Sequence, residues 1–185
     1  MIILHGLFGS RDNWRTMSRK LSDRYQVFTV DLRNHGGSPH SAEFSCALMA
    51  DDLRDFMIDH AIPEACLLGH SMGGKAAMQF AVEHPERVDR LVVVDIAPRA
   101  YPPAHDALFE VLSSIRLEKY SSRNEVRQEI EKGIGDRAVS EFLLSVDKPG
   151  EKEPLALRVR DANGRWRPVE VAAVNALLVA AEVRE

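Results

Sequence analysis

The stretch Ala65-Cys66-Leu67-Leu68-Gly69-His70-Ser71-Met72-Gly73-Gly74 decides the fold. Four mostly apolar residues run into a glycine-flanked serine, and a helical pattern from Met72 to Glu83 follows at once. An apolar run this short that enters a Gly-rich turn reads as a buried strand. A strand before and a helix after G-x-S-x-G is the context in which that motif marks a nucleophile rather than a chance match. The glycines answer a steric need, because a serine on so sharp a turn requires neighbours without Cβ atoms. The turn lifts the Ser71 hydroxyl clear of the backbone, and the following helix aims its N-terminal N–H groups at the same spot.

The same alternation extends outward on both sides. Ile2-Ile3-Leu4 is a strand breaking into His5-Gly6-Leu7-Phe8-Gly9-Ser10, and Gln26 to Val30 is another, closed by Asp31 and the turn-rich Arg33-Asn34-His35-Gly36-Gly37-Ser38-Pro39. Leu91 to Val94 is a fourth, ending at Asp95. Residues 12–24 read as a helix capped by Asp12 or Asn13, with Trp14, Met17 and Leu21 on one face. Residues 45–60 read as another, with Met49, Leu53, Phe56 and Met57 inward and Asp51, Asp52, Arg54 and Asp55 toward water. Apolar strands alternating with helices predict an α/β fold, with a mostly parallel sheet covered on both faces.

The rhythm changes after Pro98. Tyr101-Pro102-Pro103 reads as a linker. From Ala104 a helix carries Leu108, Val111, Leu112 and Ile115 on one stripe. Ser122 with Glu125 forms a capping box for a second helix, which Gly133 can close, and Ala138 to Val146 makes a third. Residues 99–147 are thus an all-helical insert, 147–168 a charged, turn-rich segment, and 170–184 an apolar helix.

Composition limits the function. The chain has 185 residues, a formal net charge of -4 and 45% hydrophobic residues, enough for one domain with a real core. Its slightly acidic balance offers no basic footprint for nucleic acid or an anionic membrane. No run approaches the roughly 18 apolar residues that span a bilayer. The two cysteines, Cys46 and Cys66, make no disulfide framework, and the N-terminus lacks a signal-peptide pattern, so a cytoplasmic protein is expected. No H-E-x-x-H or Cys/His cluster calls for a metal, and no organic cofactor is implied.

Two further signals join Ser71. A glycine-rich loop leaving a neighbouring parallel strand can hold a backbone N–H beside the serine, so Leu7 N–H, with Phe8 as the adjacent possibility, is the second oxyanion donor to Met72 N–H. Neither glycine loop fits a phosphate-binding pattern. Asp95 stands at the carboxyl end of the strand after the nucleophile, where doubly wound sheets bind ligands and where an acid can orient a histidine base.

With Asp31-Leu32-Arg33-Asn34-His35-Gly36 and Val94-Asp95-Ile96-Ala97-Pro98, these motifs resemble an α/β-hydrolase of the YbfF-type esterase group, which includes the mitochondrial abhydrolase-domain proteins. The likeness runs from residue 2 to about 145. It implies Ser71 as nucleophile, Asp95 as acid, Leu7 and Met72 as the oxyanion hole, and a partial hydrolase core over 1–98. It also implies a helical cap and cap exit over 99–185, with Phe8, Leu108, Phe109, Leu112, Phe142 and Leu143 lining an acyl pocket or packing the cap. The expected substrate is a small acyl ester or thioester, and relatives with an Asp nucleophile at position 71 are disfavoured.

A serine hydrolase also needs a base. Of the seven histidines, His5 and His70 are expected to brace the glycine loops, His35 and His40 lie in the turn-rich loop, and His60 and His84 end helices. His105 follows Asp95 by too little to return to the site. The resemblance places the base in a Gly-His loop after the cap, together with the last two strands. The chain therefore reads as truncated at both ends, lacking two strands at each, with impaired activity. The alternatives are a non-catalytic pseudoenzyme or gene fragment, and a carbon–carbon bond hydrolase of the same fold. The resemblance implies that the strands pair in the order second, first, third, fourth, leaving the valine-rich 91–94 strand as an edge.

Overall fold

A computed structural model describes residues 1–99, 101, 106–145, 158–160 and 166–168. Strands β1 (Ile2–Leu4), β2 (Phe28–Val30), β3 (Ala65–His70) and β4 (Val88–Val94) form one sheet in the order β2-β1-β3-β4. All three pairings are parallel, with Ile2 opposite Phe28 and Leu67, and Leu67 opposite Leu91. The predicted order is the observed one. Helices α1 (Arg15–Leu21), α2 (Cys46–Asp59) and α3 (Met72–Glu83) make the crossovers. Parallel neighbours require such crossovers, and this places the loops after all four strands at one edge of the sheet.

The first crossover begins differently from the sequence expectation. Its opening turn, Arg11–Trp14, is a 3-10 helix capped at Ser10, not at Asp12 or Asn13. Asn13 instead acts backwards: its Oδ1 accepts from Ser10 N–H at 2.6 Å. The apolar face of α1 is shallow, and Met17 remains 46% exposed. In α2 the Ser45 hydroxyl accepts from Leu48 N–H, and Met49, Leu53 and Met57 are buried as their spacing requires. Their cluster joins Ile2, Leu4, Leu67, Met72, Ala76 and Phe80 into the core beneath the sheet's first three strands. The fourth strand is less covered, with Leu91, Val92 and Val94 each more than a third exposed.

Helices α4 (Asp106–Ser114), α5 (Arg123–Ile134) and α6 (Arg137–Ser145) follow, as expected for a helical insert. Ser122 caps α5 by accepting Glu125 N–H, but the Glu125 carboxylate reaches Ser121 N–H at 2.8 Å rather than closing on the cap residue itself. The helix does not end at Gly133. It runs to Ile134, and Gly135 supplies the left-handed cap at φ 76, donating to Glu131 O at 2.8 Å. Gly133 has a packing reason, since a Cβ there would lie 2.5 Å from a Val111 methyl. Beyond α6, Arg158–Arg160 (β5) and Trp166–Pro168 (β6) pair antiparallel. The reading of 147–168 as a charged, turn-rich segment did not include this pair of strands; the signal was Val159 and Trp166 flanking a stretch that contains Asn163-Gly164. The helix expected over 170–184 lies outside the described residues, as do Pro102 and Pro103 of the linker and His105 at the expected start of the next helix. Among the described residues no helix is long and apolar enough to cross a membrane.

Candidate active site

Ser71 joins β3 to α3 at φ 49 and ψ −114, a conformation that L-residues rarely adopt and that marks a strained turn. Its own N–H is held by Val94 O at 3.0 Å, which ties the turn to β4. Two glycines make the turn possible. A Cβ on Gly69 would lie 2.3 Å from Gly73 O, and one on Gly73 would lie 2.5 Å from His5 O and 2.6 Å from Leu4 O. The helix therefore crosses the end of β1 backbone against backbone. Met72 opens α3, so its N–H has no intrahelical acceptor. Ser71 itself is partly exposed.

The first glycine loop lies against this turn, since a Cβ on Gly6 would stand 3.4 Å from Ser71 Cβ and 2.8 Å from His70 Nδ1. Within the loop Gly9 N–H closes a turn onto Gly6 O at 2.9 Å, and Phe8 takes a positive φ of 59. Phe8 N–H donates to His35 Nε2 at 3.2 Å. That engagement leaves Leu7 as the neighbouring amide for a ligand, and no hydrogen bond among the described residues uses it. The Leu7 side chain packs against both apolar clusters, the sheet core and the helical insert.

Asp95 follows β4 at φ 58 with its carboxylate 87% exposed, and its Oδ2 lies 3.9 Å from His70 Nε2. The Ser71 turn, the first loop and Asp95 are thus neighbours at one sheet edge. The loop carrying Asp95 is secured further on, where Ala97 N–H donates to the Tyr101 hydroxyl at 2.9 Å. The Tyr101 ring sits under the Lys75 ammonium at 5.1 Å and the Arg99 guanidinium at 4.9 Å. A buried lysine one turn after the serine was not anticipated from sequence; burial pushes its pKa down.

The proposed pocket residues divide. Phe109, Leu112 and Leu143 are buried in the apolar cluster of the helical insert together with Phe8, whose ring meets Phe109 at 5.7 Å. Leu108 is partly buried against the same cluster, and Phe142 is 37% exposed. A separate groove of about 550 Å³, lined by Val30, Arg33, Leu48, Asp52 and Phe56 among others, takes in none of the site residues named above. Among the described residues no cluster of three or more His, Cys, Asp or Glu could hold a metal. Cys46 and Cys66 are free and buried.

The histidines are partly as expected. His5 does brace its loop: its ring Nε2 accepts Leu32 N–H at 3.0 Å and its Nδ1 faces Gly6 O at 2.8 Å. His60 ends α2 with Nδ1 on Phe56 O, and is exposed. His35 lies in the turn-rich loop as read, and that loop buries it. It is 4% exposed, its Nδ1 faces Arg33 O at 2.9 Å, and its ring lies 5.0 Å from His5. Burial pushes the His35 pKa down to about 4 and lowers that of His5 as well. The sequence signal was Arg-Asn-His-Gly, a polar motif next to a strand end that needs an internal partner.

Comparison with known proteins bears on the fold and the family. The family model described as alpha/beta hydrolase fold matches residues 1–125. A "Putative esterase/lipase" of Haemophilus influenzae is 36% identical over 145 residues, covering 78% of this chain and 50% of that protein. Esterase YbfF of Escherichia coli is 35% identical over 152 residues, covering 82% of this chain and 60% of its own length. A solved structure titled "Marine microorganism esterase" superposes with a TM-score of 0.79 at 32% identity, over 100% of this chain and 69% of that one. The chain spans about half the length of the curated relatives it matches.

Proposed function

Because the chain belongs to the alpha/beta hydrolase fold family, we propose that it carries the nucleophile, oxyanion and acid elements of a serine hydrolase for small acyl esters or thioesters. The observation that carries this reading is the strained Ser71 turn, at φ 49, placed between β3 and the first amide of α3. The Ser71 hydroxyl attacks the acyl carbonyl, and its proton passes to a histidine base. Charge developing on the carbonyl oxygen is held by the Leu7 and Met72 N–H groups. The bond to the alcohol or thiol then breaks, the base returns the proton to the leaving group, and water releases the acid from acyl-Ser71. Asp95 orients the imidazole and stabilises its charged form. In this reading residues 1–98 form the catalytic core and 99–185 the cap and its exit.

The base is not among the histidines whose hydrogen bonds are described above. His5 and His35 are committed to backbone groups on both ring nitrogens. It is assigned to the part of the relatives' length that this chain does not span, so the chain alone is acylated slowly and turns over poorly. Supplied imidazole should restore part of the rate.

A fluorophosphonate probe, with imidazole present, tests the assignment. The wild-type chain should label and Ser71→Ala should not. Equal behaviour of the two, including no labelling of either, removes Ser71 as nucleophile.

A further inference from the structure

Buried histidines that face only backbone are a costly way to close a loop, and two of them meet beneath the first glycine loop. His5 stands on that loop and receives an N–H from the second loop, at Leu32; His35 stands on the second loop and receives an N–H from the first, at Phe8. Each bond spans 27 residues, and the rings lie 5.0 Å apart. The chemistry fixes the proton in both. A carbonyl can only accept, so the Nδ1 that faces Gly6 O or Arg33 O carries hydrogen, and the Nε2 that faces an amide presents its lone pair.

The amide received by His35 belongs to the most strained residue of the loop. A phenylalanine at φ 59 is a genuine outlier and persists only when its surroundings hold it. Its ring is held by the cap through Phe109, and its N–H is held by His35. With that amide turned into the protein, the next amide back is Leu7, on the loop that lies against Ser71.

We infer that His35 is a positioning residue for the oxyanion hole: its neutral imidazole takes the Phe8 N–H out of contention and fixes the loop so that the Leu7 N–H is the donor. The inference rests on the Ser71 reading for its catalytic meaning, but its geometry stands apart from it. The charged and titratable groups around the pair are Asp31, His40 and His70, besides the two histidines themselves. Asp31 is itself occupied, its oxygens accepting Arg11 N–H at 2.7 Å and Gly37 N–H at 2.9 Å, with the Arg11 guanidinium at 3.6 Å. The Phe44 ring covers His35 at 6.0 Å. A proton on His35 would set N–H against N–H and release the strained residue.

Two variants separate positioning from plain packing. His35→Phe keeps a ring and removes the acceptor; His35→Gln keeps an acceptor at the reach of Nε2. Fluorophosphonate labelling of the full chain, with imidazole present and normalised to folded protein, should slow about a hundred-fold in His35→Phe, the loss expected when an oxyanion donor is misplaced. His35→Gln should recover most of that rate. Equal labelling of both variants and wild type overturns the inference, while Ser71→Ala labelling like wild type overturns the nucleophile instead. Should His35→Phe fail to fold, ring nitrogen NMR and amide exchange on the wild-type chain decide the matter without activity. A protonated His35 Nε2 at neutral pH, or a rapidly exchanging Phe8 amide, refutes the inference; an unprotonated Nε2 with a protected amide upholds it.

Discussion

Replacing Gly73 with alanine is the sharpest test of how the site is built. The new Cβ would stand 2.5 Å from His5 O, 2.6 Å from Leu4 O and 2.7 Å from Leu4 C, all backbone atoms that no rotamer change can clear. Carbon–oxygen contacts ordinarily settle near about 3.3–3.6 Å, so α3 and the end of β1 must part by nearly 1 Å. Overpacking of this kind costs about 1–3 kcal/mol. The displacement also falls between Ser71 and the loop bearing Leu7, where misplacement by about 1 Å can lower a rate about a hundred-fold. Gly37→Ala is the control: the nearest atom to its Cβ is Asp31 Oδ2 at 3.7 Å. That substitution should be neutral, or stabilising by about 0.4–1 kcal/mol through the unfolded state. Urea denaturation and probe labelling of Ser71, run on both variants, measure the two effects. If Gly73→Ala matches Gly37→Ala in both assays, the backbone-against-backbone account of the nucleophile turn is wrong.

Acid should weaken the fold before its carboxylates titrate. His35 is neutral in the folded chain down to about pH 4 but gains its proton near 6.5 when unfolded, so the unfolded state binds more protons between those values. Stability is then fully present above about pH 6.5 and falls with acidification to about pH 4, by about 3 kcal/mol at about 1.4 kcal/mol per pH unit. Urea midpoints across that range, compared between wild type and His35→Gln, should show the slope shrinking in the variant; identical slopes would contradict the burial of a neutral ring. Arg33 grips Asp52 with two bonds of 2.6 and 2.7 Å and also reaches Glu43 O and Leu48 O. Lysine cannot reproduce that fork, so Arg33→Lys should lower stability by about 1–2 kcal/mol, and thermal unfolding should register it as a fall of several degrees, roughly 2–4 °C per kcal/mol.

What sequence revealed and what it hid follow from locality. The β3–Ser71–α3 unit was legible because an apolar run, a glycine-flanked serine and a helical period are contiguous. The parallel order of the sheet followed from its crossovers and from the family resemblance. Ser122 as a cap was legible for the same local reason, whereas Gly133 was misjudged because the Val111 side chain that excludes a Cβ there belongs to another helix. His35 was hidden by its neighbours. A stretch of Arg, Asn, Gly and Ser looks solvated, and only the long-range closure of the second loop under the first buries the ring. The helical insert shows the same limit from the other side: the family resemblance pointed to Phe109, Leu112 and Leu143, but could not distinguish packing against Phe8 from lining a cavity.

Four of the five non-glycine residues at positive φ among the described residues are Phe8, Asn34, Ser71 and Asp95, and they follow β1, β2, β3 and β4 respectively. Such conformations cost of order 1–3 kcal/mol each, and their common place is the carboxyl edge of the sheet, where this kind of fold binds ligands. Each loop is held by a different means. Asn34 is locked by three bonds to the segment Pro39–Ser41: its N–H donates to Pro39 O, its Nδ2 donates to Ser41 O, and its Oδ1 accepts Ser41 N–H. Phe8 depends on His35 and the cap, and Ser71 on Val94 O and the start of α3. Asp95 has the lightest hold of its own, since its carboxylate is largely exposed and stands 3.9 Å from His70. The restraint on its loop comes two residues later, where Tyr101 receives Ala97 N–H while lying under Lys75 of the nucleophile helix. Lys75 therefore links the Ser71 turn and the Asp95 loop, because it stands one turn after Ser71 and lies over the ring that receives Ala97 N–H. The Ser71 turn and the Asp95 loop thus both bear on the first turn of α3.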